Sequence, residues 1–302
     1  MLDVSTKCST LRRAKAEGFV RVGAQALARL RAGDTPKPDV LATARAAGLL
    51  AAKRTPDLVP HCHPIPLDAV GVALAILEDG VAVSAEVAAI HRTGVEIEAL
   101  CAVQIACLVV YDMLKALDGG MVIEGVRVLE KSGGKGEHRH QVAEGYRAAV
   151  VVASDRVSQG LAADRGGLWL VDRLKDLGVA NPLYQVLPDD EGRLRQLFLD
   201  LHAQGVDLVL STGGTGLSPR DRTVEALRPV LERELPGAME AARAYGQART
   251  PYALLSRGLA GHRGKTLYAA LPGSLGGVKD SFQALFPALL HAGHVLAEPV
   301  KA

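Results

Sequence analysis

"VDLVLSTGGTGLSPRD", residues 206 to 221, passes from an apolar run into a glycine-rich turn and then an Arg-Asp pair. A short apolar run without polar alternation, closed by a turn, is the pattern of a strand buried on both faces. Three other runs end in the same manner: "RAAVVVAS" in Ser154-Asp155, "PLYQVLP" in Pro188-Asp189-Asp190, and "KTLYAALPG" in Pro272-Gly273-Ser274. Helical spacing fills the intervals at 165–177, 191–204, 221–247 in pieces, and 276–296. Strands alternating with helices predict an open, mostly parallel, Rossmann-like α/β sheet. Ligands of such sheets bind beyond the carboxyl ends of the strands. The four polar turns therefore form one candidate site.

Within Thr212-Gly213-Gly214-Thr215-Gly216, glycines let backbone N–H groups turn toward an anion, and the threonine hydroxyls add donors. The loop has neither the G-K-[ST] of a Walker motif nor G-x-G-x-x-G spacing. A phosphate loop followed by the carboxylate of Asp221 is what a magnesium–nucleotide site requires. Asp189 and Asp190 suit either a second carboxylate there or a cap for the helix that follows.

Upstream the grammar changes. "EKSGGKGEHRHQVAEGYR", residues 130–147, is rich in glycine and charge and lacks apolar periodicity, as a linker does. The expected division is a first domain over 1–138, a linker over 139–145 and a second domain over 146–302. In the first half, residues 38–54 carry Ala and Leu at helical spacing, with Pro38 suited to the first turn and Pro56 ending the segment. "AVGVALAIL" and "VAVSAEVAAI" read as a hairpin across Glu78-Asp79-Gly80. Residues 95–117 read as a long apolar helix and "MVIEGVRVLEK" as a further strand. Hairpin plus helices predict an α+β domain, a ferredoxin-like sheet layered with helices.

Composition narrows the function. The chain of 302 residues has a formal net charge of +2 and 4% aromatic residues. Neither a strong basic field nor a stacking surface points to nucleic acid. No signal-peptide core opens the chain, and no apolar run approaches the about 20 residues of a membrane span. A soluble, cytoplasmic protein is expected. Cys8, Cys62, Cys101 and Cys107 form no C-x-x-C pair. His61-Cys62-His63 resembles a metal site at first sight, but adjacent residues of an extended segment point to opposite sides, and a structural zinc needs four ligands. In the long helix, Asp112 and Lys115 share a face at i, i+3. Lys115 follows a run that must be buried, so a depressed pKa suited to proton transfer is expected of it.

Two resemblances gather these motifs. "VLPDDEG", "LSTGGTGLSPRD" and "ALPGS", in that order within about residues 146–296, resemble the molybdopterin adenylyltransferase family (MogA/MoaB-like). The resemblance implies transfer of AMP from ATP, with Mg2+, to the terminal phosphate of molybdopterin. It implies Asp189 and Asp221 as catalytic, metal-holding acids, and Thr212, Gly213, Gly214, Thr215, Gly216, Pro272, Gly273 and Ser274 as the phosphate and pterin cradle. Val224 stands where that family has proline, and Gly166 where a serine often opens the first helix.

"DVSTK", "ATARAAGLLAAKRTPDLVPHCHPIPL", "TGVEIEAL", "YDMLKALD" and "VLEKSGGK", spread over about residues 2–136, resemble the cyclic pyranopterin monophosphate synthase family (MoaC-like). That resemblance implies conversion of a cyclised GTP derivative, 3',8-cyclo-7,8-dihydro-GTP, into cyclic pyranopterin monophosphate with release of pyrophosphate, in a hexamer built from dimers. No cofactor is implied for this half. Lys53, Asp112, Lys115 and Lys131 fall at catalytic positions, and Arg12, His63, Glu96 and Glu98 at binding ones. The KRT…HCHP stretch then reads as a pocket wall whose prolines reduce the ordering cost of binding. The sequence thus predicts a bifunctional, homo-oligomeric enzyme of small-molecule pterin chemistry, with an enzyme fused to a non-catalytic pterin-binding or oligomerising module as the rival.

Overall fold

The computed structural model describes residues 1–134, 137 and 142–297. It divides into two compact units, Met1–Glu137 and His138–Ala302. Of the linker expected over 139–145, residues 139–141 lie outside the described residues.

The first unit runs β1 (Thr10–Arg21), α1 (Ala24–Ala32), α2 (Val40–Lys53), α3 (Thr55–Leu58), β2 (Ala69–Ile76), β3 (Gly80–His91), α4 (Glu96–Leu114) and β4 (Val122–Ser132). The strands form one antiparallel sheet in the order β2-β3-β1-β4, the ferredoxin-like arrangement expected. The central strand β1 escaped the sequence reading, as did α1. Its inward positions, Ala14, Ala16 and Val20, are buried while Arg13 and Arg21 face outward. The alternation is real, but the inward side chains are mostly too small to announce a strand. The helix read over 38–54 ends at Lys53, ahead of Pro56, as expected, but it starts at Val40 with Asp39 as its N-cap, so Pro38 precedes it; Pro56 sits in the first turn of α3, where its missing N–H costs nothing.

Helix α4 packs on β1, β3, β4 and α2. Ala99, Ala102, Val103, Ala106, Cys107 and Val110 lie in the core beneath the sheet. It has 19 residues, and an 18-residue window of it has a mean hydropathy of 1.9, long and apolar enough to cross a membrane by length and composition. This corrects the expectation that no apolar run reaches that length. Its burial against the sheet accounts for the composition: a helix covered on most sides reads as apolar all round.

The second unit runs β5 (Ala148–Ala153), α5 (Asp155–Ser158), α6 (Gly166–Asp176), β6 (Leu183–Leu187), α7 (Glu191–Ala203), β7 (Leu208–Thr212), α8 (Thr223–Leu227), β8 (Arg233–Glu234), α9 (Pro236–Gln247), β9 (Leu259–Arg263), β10 (Thr266–Leu271), α10 (Leu275–Leu285) and α11 (Ala288–Ala297). Its sheet has the order β6-β5-β7-β10-β9-β8. The four strands read from sequence are the parallel ones; β9 and β8 join antiparallel. Along β5, Ala148 and Val150 enter one core with Leu170, Met239 and Val278, whereas Ala149 and Val151 enter another with Leu194, Phe198 and Leu227. Helices on both faces explain why these strands read as continuous apolar runs. The helical stretch at 276–296 is two helices, divided at Phe286-Pro287.

Candidate active sites

In the second unit, parallel pairing brings the carboxyl ends of β5, β6, β7 and β10 to one edge. The four polar turns meet there. Gly213 has φ +94°, and a Cβ on it would come within 2.1 Å of the Ala153 carbonyl oxygen, so the loop crosses β5 where only glycine fits. Thr223 fixes the loop from behind. Its Oγ1 donates to the Gly213 carbonyl at 2.9 Å and its N–H to the Gly214 carbonyl at 3.1 Å. The hydroxyls of Thr212 and Thr215 are both turned inward. Thr212 Oγ1 donates to the Pro272 carbonyl at 2.8 Å and Thr215 Oγ1 to that of Leu271 at 3.5 Å. They tie the glycine loop to the turn after β10. Gly273 packs on Gly213, and Ser274 caps α10 by accepting from the Gly277 N–H.

The acids divide by role. Asp190 is the cap of α7, accepting from the Arg193 N–H at 2.8 Å. Asp189 and Asp155 exchange bonds: each backbone N–H donates to the other's carboxylate, at 3.1 and 3.3 Å. Asp189 Oδ1 is buried and has no hydrogen-bond partner among the described residues. Burial holds the Asp189 carboxyl above the usual carboxylate range, and the nearby charges of Asp155 and Asp221 push it the same way. Asp221 accepts from the Ser218 N–H at 2.8 Å through Oδ2, and its carboxylate lies against Gly216. Two repelling acids, one with an orphaned oxygen, beside a glycine loop fit a divalent cation. Among the described residues, no cluster of three or more His, Cys, Asp and Glu side chains could hold one. Magnesium held by one or two carboxylates plus substrate phosphates suits that donor set. A cavity of about 470 Å³ opens beside Pro272 and Ser274, lined also by Arg243, Thr250, Tyr252 and Ser256.

Gly166, at the start of α6, is buried against Val278 and Thr212. Val224 is buried in the core. Sequence reasoning missed Arg257, whose guanidinium bonds the Gly216 and Asp221 carbonyls and the Glu225 carboxylate.

In the first unit the candidates other than Lys53 form two groups at opposite ends of α4. At its C-terminal end, Asp112 bonds Lys115 at 2.7 Å and Lys37 at 2.5 Å. The Lys115 and Lys37 ammonium groups bring the Asp112 carboxyl down to about 2. Lys115 contradicts the expected depressed pKa: its hydrogen bond to Asp112 raises it. The helix ends at Leu114, and Lys115 stands exposed beyond the core, so desolvation is too weak to oppose its partner. Lys37, in the rigid sequence Pro36-Lys37-Pro38, was not singled out from sequence; its partner lies 75 residues away.

At the N-terminal end of α4, Glu96 pairs with Lys131 at 3.4 Å. Arg12 donates to the carbonyls of His91, Arg92 and Gly133, which joins the start of β1 to the loop after β4. Glu98 is 2% exposed. Its Oε1 accepts the Cys62 thiol at 3.1 Å, while Oε2 is buried without a partner among the described residues. Burial raises the Glu98 carboxyl and, with Glu98 beside it, pushes the Cys62 thiol up to about 12. Cys62 thus serves as a hydrogen-bond donor, not a thiolate ligand. His63 Nε2 lies 2.9 Å from the Leu2 carbonyl oxygen. Lys53 is the exposed last residue of α2; among the described residues, no hydrogen bond or ion pair joins it to the other candidates. Glu96 and Asp112 are 16 positions apart on one helix, which separates the two groups by about 24 Å.

Comparison with known proteins follows the same division. The MoaC family pattern matches residues 1–134, and a probable molybdopterin binding domain matches residues 149–291. A molybdenum cofactor biosynthesis bifunctional protein of Chlorobaculum tepidum is 38% identical over 293 residues, covering 97% of this chain and 93% of that one. The cyclic pyranopterin monophosphate synthase of Novosphingobium aromaticivorans is 53% identical over 135 residues, 45% of this chain and 86% of that one. The solved Mog protein of Mycobacterium ulcerans, described as a molybdopterin biosynthesis protein, is 34% identical over 50% of this chain and 99% of that one, with a TM-score of 0.49. With relatives matched across nearly their whole length and both family patterns present in order, the chain belongs to the family of bifunctional molybdenum cofactor biosynthesis proteins, a MoaC domain followed by a MogA/MoaB-like domain.

Proposed function

We propose that the first domain converts 3',8-cyclo-7,8-dihydro-GTP into cyclic pyranopterin monophosphate and pyrophosphate, and that the second transfers AMP from Mg-ATP to molybdopterin. The observation that carries the second half is the pairing of Asp189 and Asp221 at the glycine loop, with a buried carboxylate oxygen left unpartnered. In the transfer, a phosphate oxygen of molybdopterin attacks the α-phosphorus of ATP. The bond to the β,γ-phosphates breaks, and pyrophosphate leaves. Bound magnesium supplies neutralisation of the charge on the leaving phosphates. The N–H groups of the 214–216 loop and of Ser274 orient phosphates, and the cavity beside Pro272 takes the pterin. A non-catalytic pterin-binding module has no use for two uncompensated acids, whose repulsion costs stability unless a cation is bound.

In the first domain, Arg12, Lys37, Lys53, Lys115 and Lys131 supply the charge that a triphosphate requires. Asp112 keeps Lys115 and Lys37 fixed, and it keeps Lys115 protonated. The about 24 Å between the two groups on α4 exceeds the reach of one nucleotide. The site is therefore assembled from two copies of the chain, each giving one end of α4.

The test is two assays on the purified protein, pyrophosphate release from the cyclised GTP derivative and AMP transfer to molybdopterin with ATP and magnesium. Asp221→Asn should abolish only the second, with partial rescue by excess magnesium and an unchanged unfolding temperature. Unchanged transfer at limiting magnesium refutes the role of Asp221, and no transfer by the wild-type chain refutes the second activity.

A further inference from the structure

The loop that carries Asp221 is braced from outside by one side chain. Arg257 stands between the 3-10 segment Pro251–Leu255 and β9. Its Nε donates to the Gly216 carbonyl at 2.6 Å and its Nη2 to the Asp221 carbonyl at 3.0 Å. Its own backbone N–H donates to the Thr215 carbonyl at 2.9 Å. Both ends of the 216–221 loop thus hang on one planar group. A guanidinium holds its donors in a fixed fork, so it sets the separation of the two carbonyls, which a flexible ammonium cannot do.

The charge of that group is also managed. Arg257 Nη1 bonds Glu225 Oε1 at 2.5 Å, with both side chains about one-third exposed. The Glu225 carboxyl is held below the usual range by this bond, so the pair is ionised and locally neutral. A bare cation this close to Asp221 would compete with magnesium for its carboxylate. Paired with Glu225, Arg257 fixes the backbone without opposing the metal.

We propose that Arg257 is the positioning residue of the magnesium–nucleotide site, its Glu225-neutralised guanidinium setting the 216–221 loop so that the Asp221 carboxylate faces Asp189. This rests on reading the second domain as an AMP-transferring enzyme.

The experiment uses the full chain with Arg257→Lys, Glu225→Gln and, as reference, Arg228→Lys, which alters an exposed ion pair with Glu234. Three quantities are measured: Mn2+ affinity in the presence of ATP by electron paramagnetic resonance, magnesium dependence of AMP transfer, and thermal unfolding. Arg257→Lys should raise both the Mn2+ dissociation constant and the magnesium concentration for half-maximal transfer by about tenfold or more, with the rate recovering at saturating magnesium. Glu225→Gln, which keeps the side-chain shape but leaves Arg257 uncompensated, should weaken Mn2+ binding while remaining folded. It carries the test if Arg257→Lys does not fold. The reference variant should change neither metal quantity. A lower unfolding temperature with unaltered metal affinity makes Arg257 a structural brace only and overturns the proposal. If the wild-type chain transfers no AMP, the reading of the domain fails, and the Mn2+ affinities alone decide the role of Arg257; absence of Mn2+ binding by the wild type overturns that role too.

Discussion

Gly213→Ala probes the crossing of the glycine loop over β5. The added Cβ would meet the Ala153 carbonyl oxygen at 2.1 Å, where ordinary contact begins near 3.4 Å. The two backbones must therefore part by about 1.3 Å. Ala153 is paired with Leu187 on β6, and the next residue, Ser154, donates its N–H to the Leu187 carbonyl, so β5 resists moving. Such overpacking costs about 1–3 kcal/mol, and a non-glycine residue at φ +94° adds about 1 kcal/mol. The sum of about 2–4 kcal/mol is less than the stability of an ordinary domain. At about 2–4 °C per kcal/mol for a unit of this size, the second domain should still fold but unfold about 5–15 °C lower. Far-ultraviolet circular dichroism melts of the full chain measure this. Gly237→Ala, in the first turn of α9 with nothing within 4 Å of the new methyl, serves as reference and should be neutral or stabilising by up to about 1 kcal/mol. Equal melting of Gly213→Ala and wild type would refute the account of the loop.

Asp189→Asn should raise stability at pH 7 while abolishing AMP transfer. The Asp189 pKa is raised in the folded state, so its contribution is present below pH 3.8 and lost as pH rises through the folded value. The asparagine lacks that loss, and a variant less stable than wild type at pH 7 would contradict the assignment. Glu98→Gln follows the same sign from its own raised pKa, so the melting temperature of wild type should fall relative to the variant above pH 4.5. Parallel pH profiles of the two proteins would rule out a buried, ionising Glu98. Lys131→Ala and Lys115→Ala should each lack the first activity, yet regain part of it when co-expressed, because a mixed pair of chains contains one intact site. Failure of mixed, correctly assembled protein to turn over would show that each chain holds its own complete site.

What the sequence disclosed follows from how strongly each element is buried. All six residues of β5 are buried, and such a strand leaves an apolar run that needs no partner to be recognised. Polar turns at strand ends then locate the site, because parallel order puts them on one edge. Strand β1 was silent for the opposite reason: Ala14 and Ala16 fill a narrow gap under α4, and small residues carry little periodic signal. The site residues brought in by long-range pairing were invisible as well. Lys37 reaches Asp112 across 75 residues and Arg257 reaches Asp221 across 36, distances over which local spacing carries no information. For Lys115 the expected electrostatics were inverted, since the sequence shows the apolar run and not the point where the helix leaves it.

Helix α4 has a consequence for biosynthesis. It is made before β4, the last strand of the sheet that covers it. At 5–20 residues per second, the stretch from Leu114 to Ser132 takes roughly one to four seconds to synthesise. The ribosome thus delivers a 19-residue segment with the hydropathy of a membrane anchor ahead, by the same interval, of the strand that completes its cover. Strands β1 and β3 precede it in the chain and both pack on it, so a docking surface already exists when the helix emerges. The split order of this fold, with one hairpin and the central strand translated first, lets the nascent chain shelter its own most lipid-like segment.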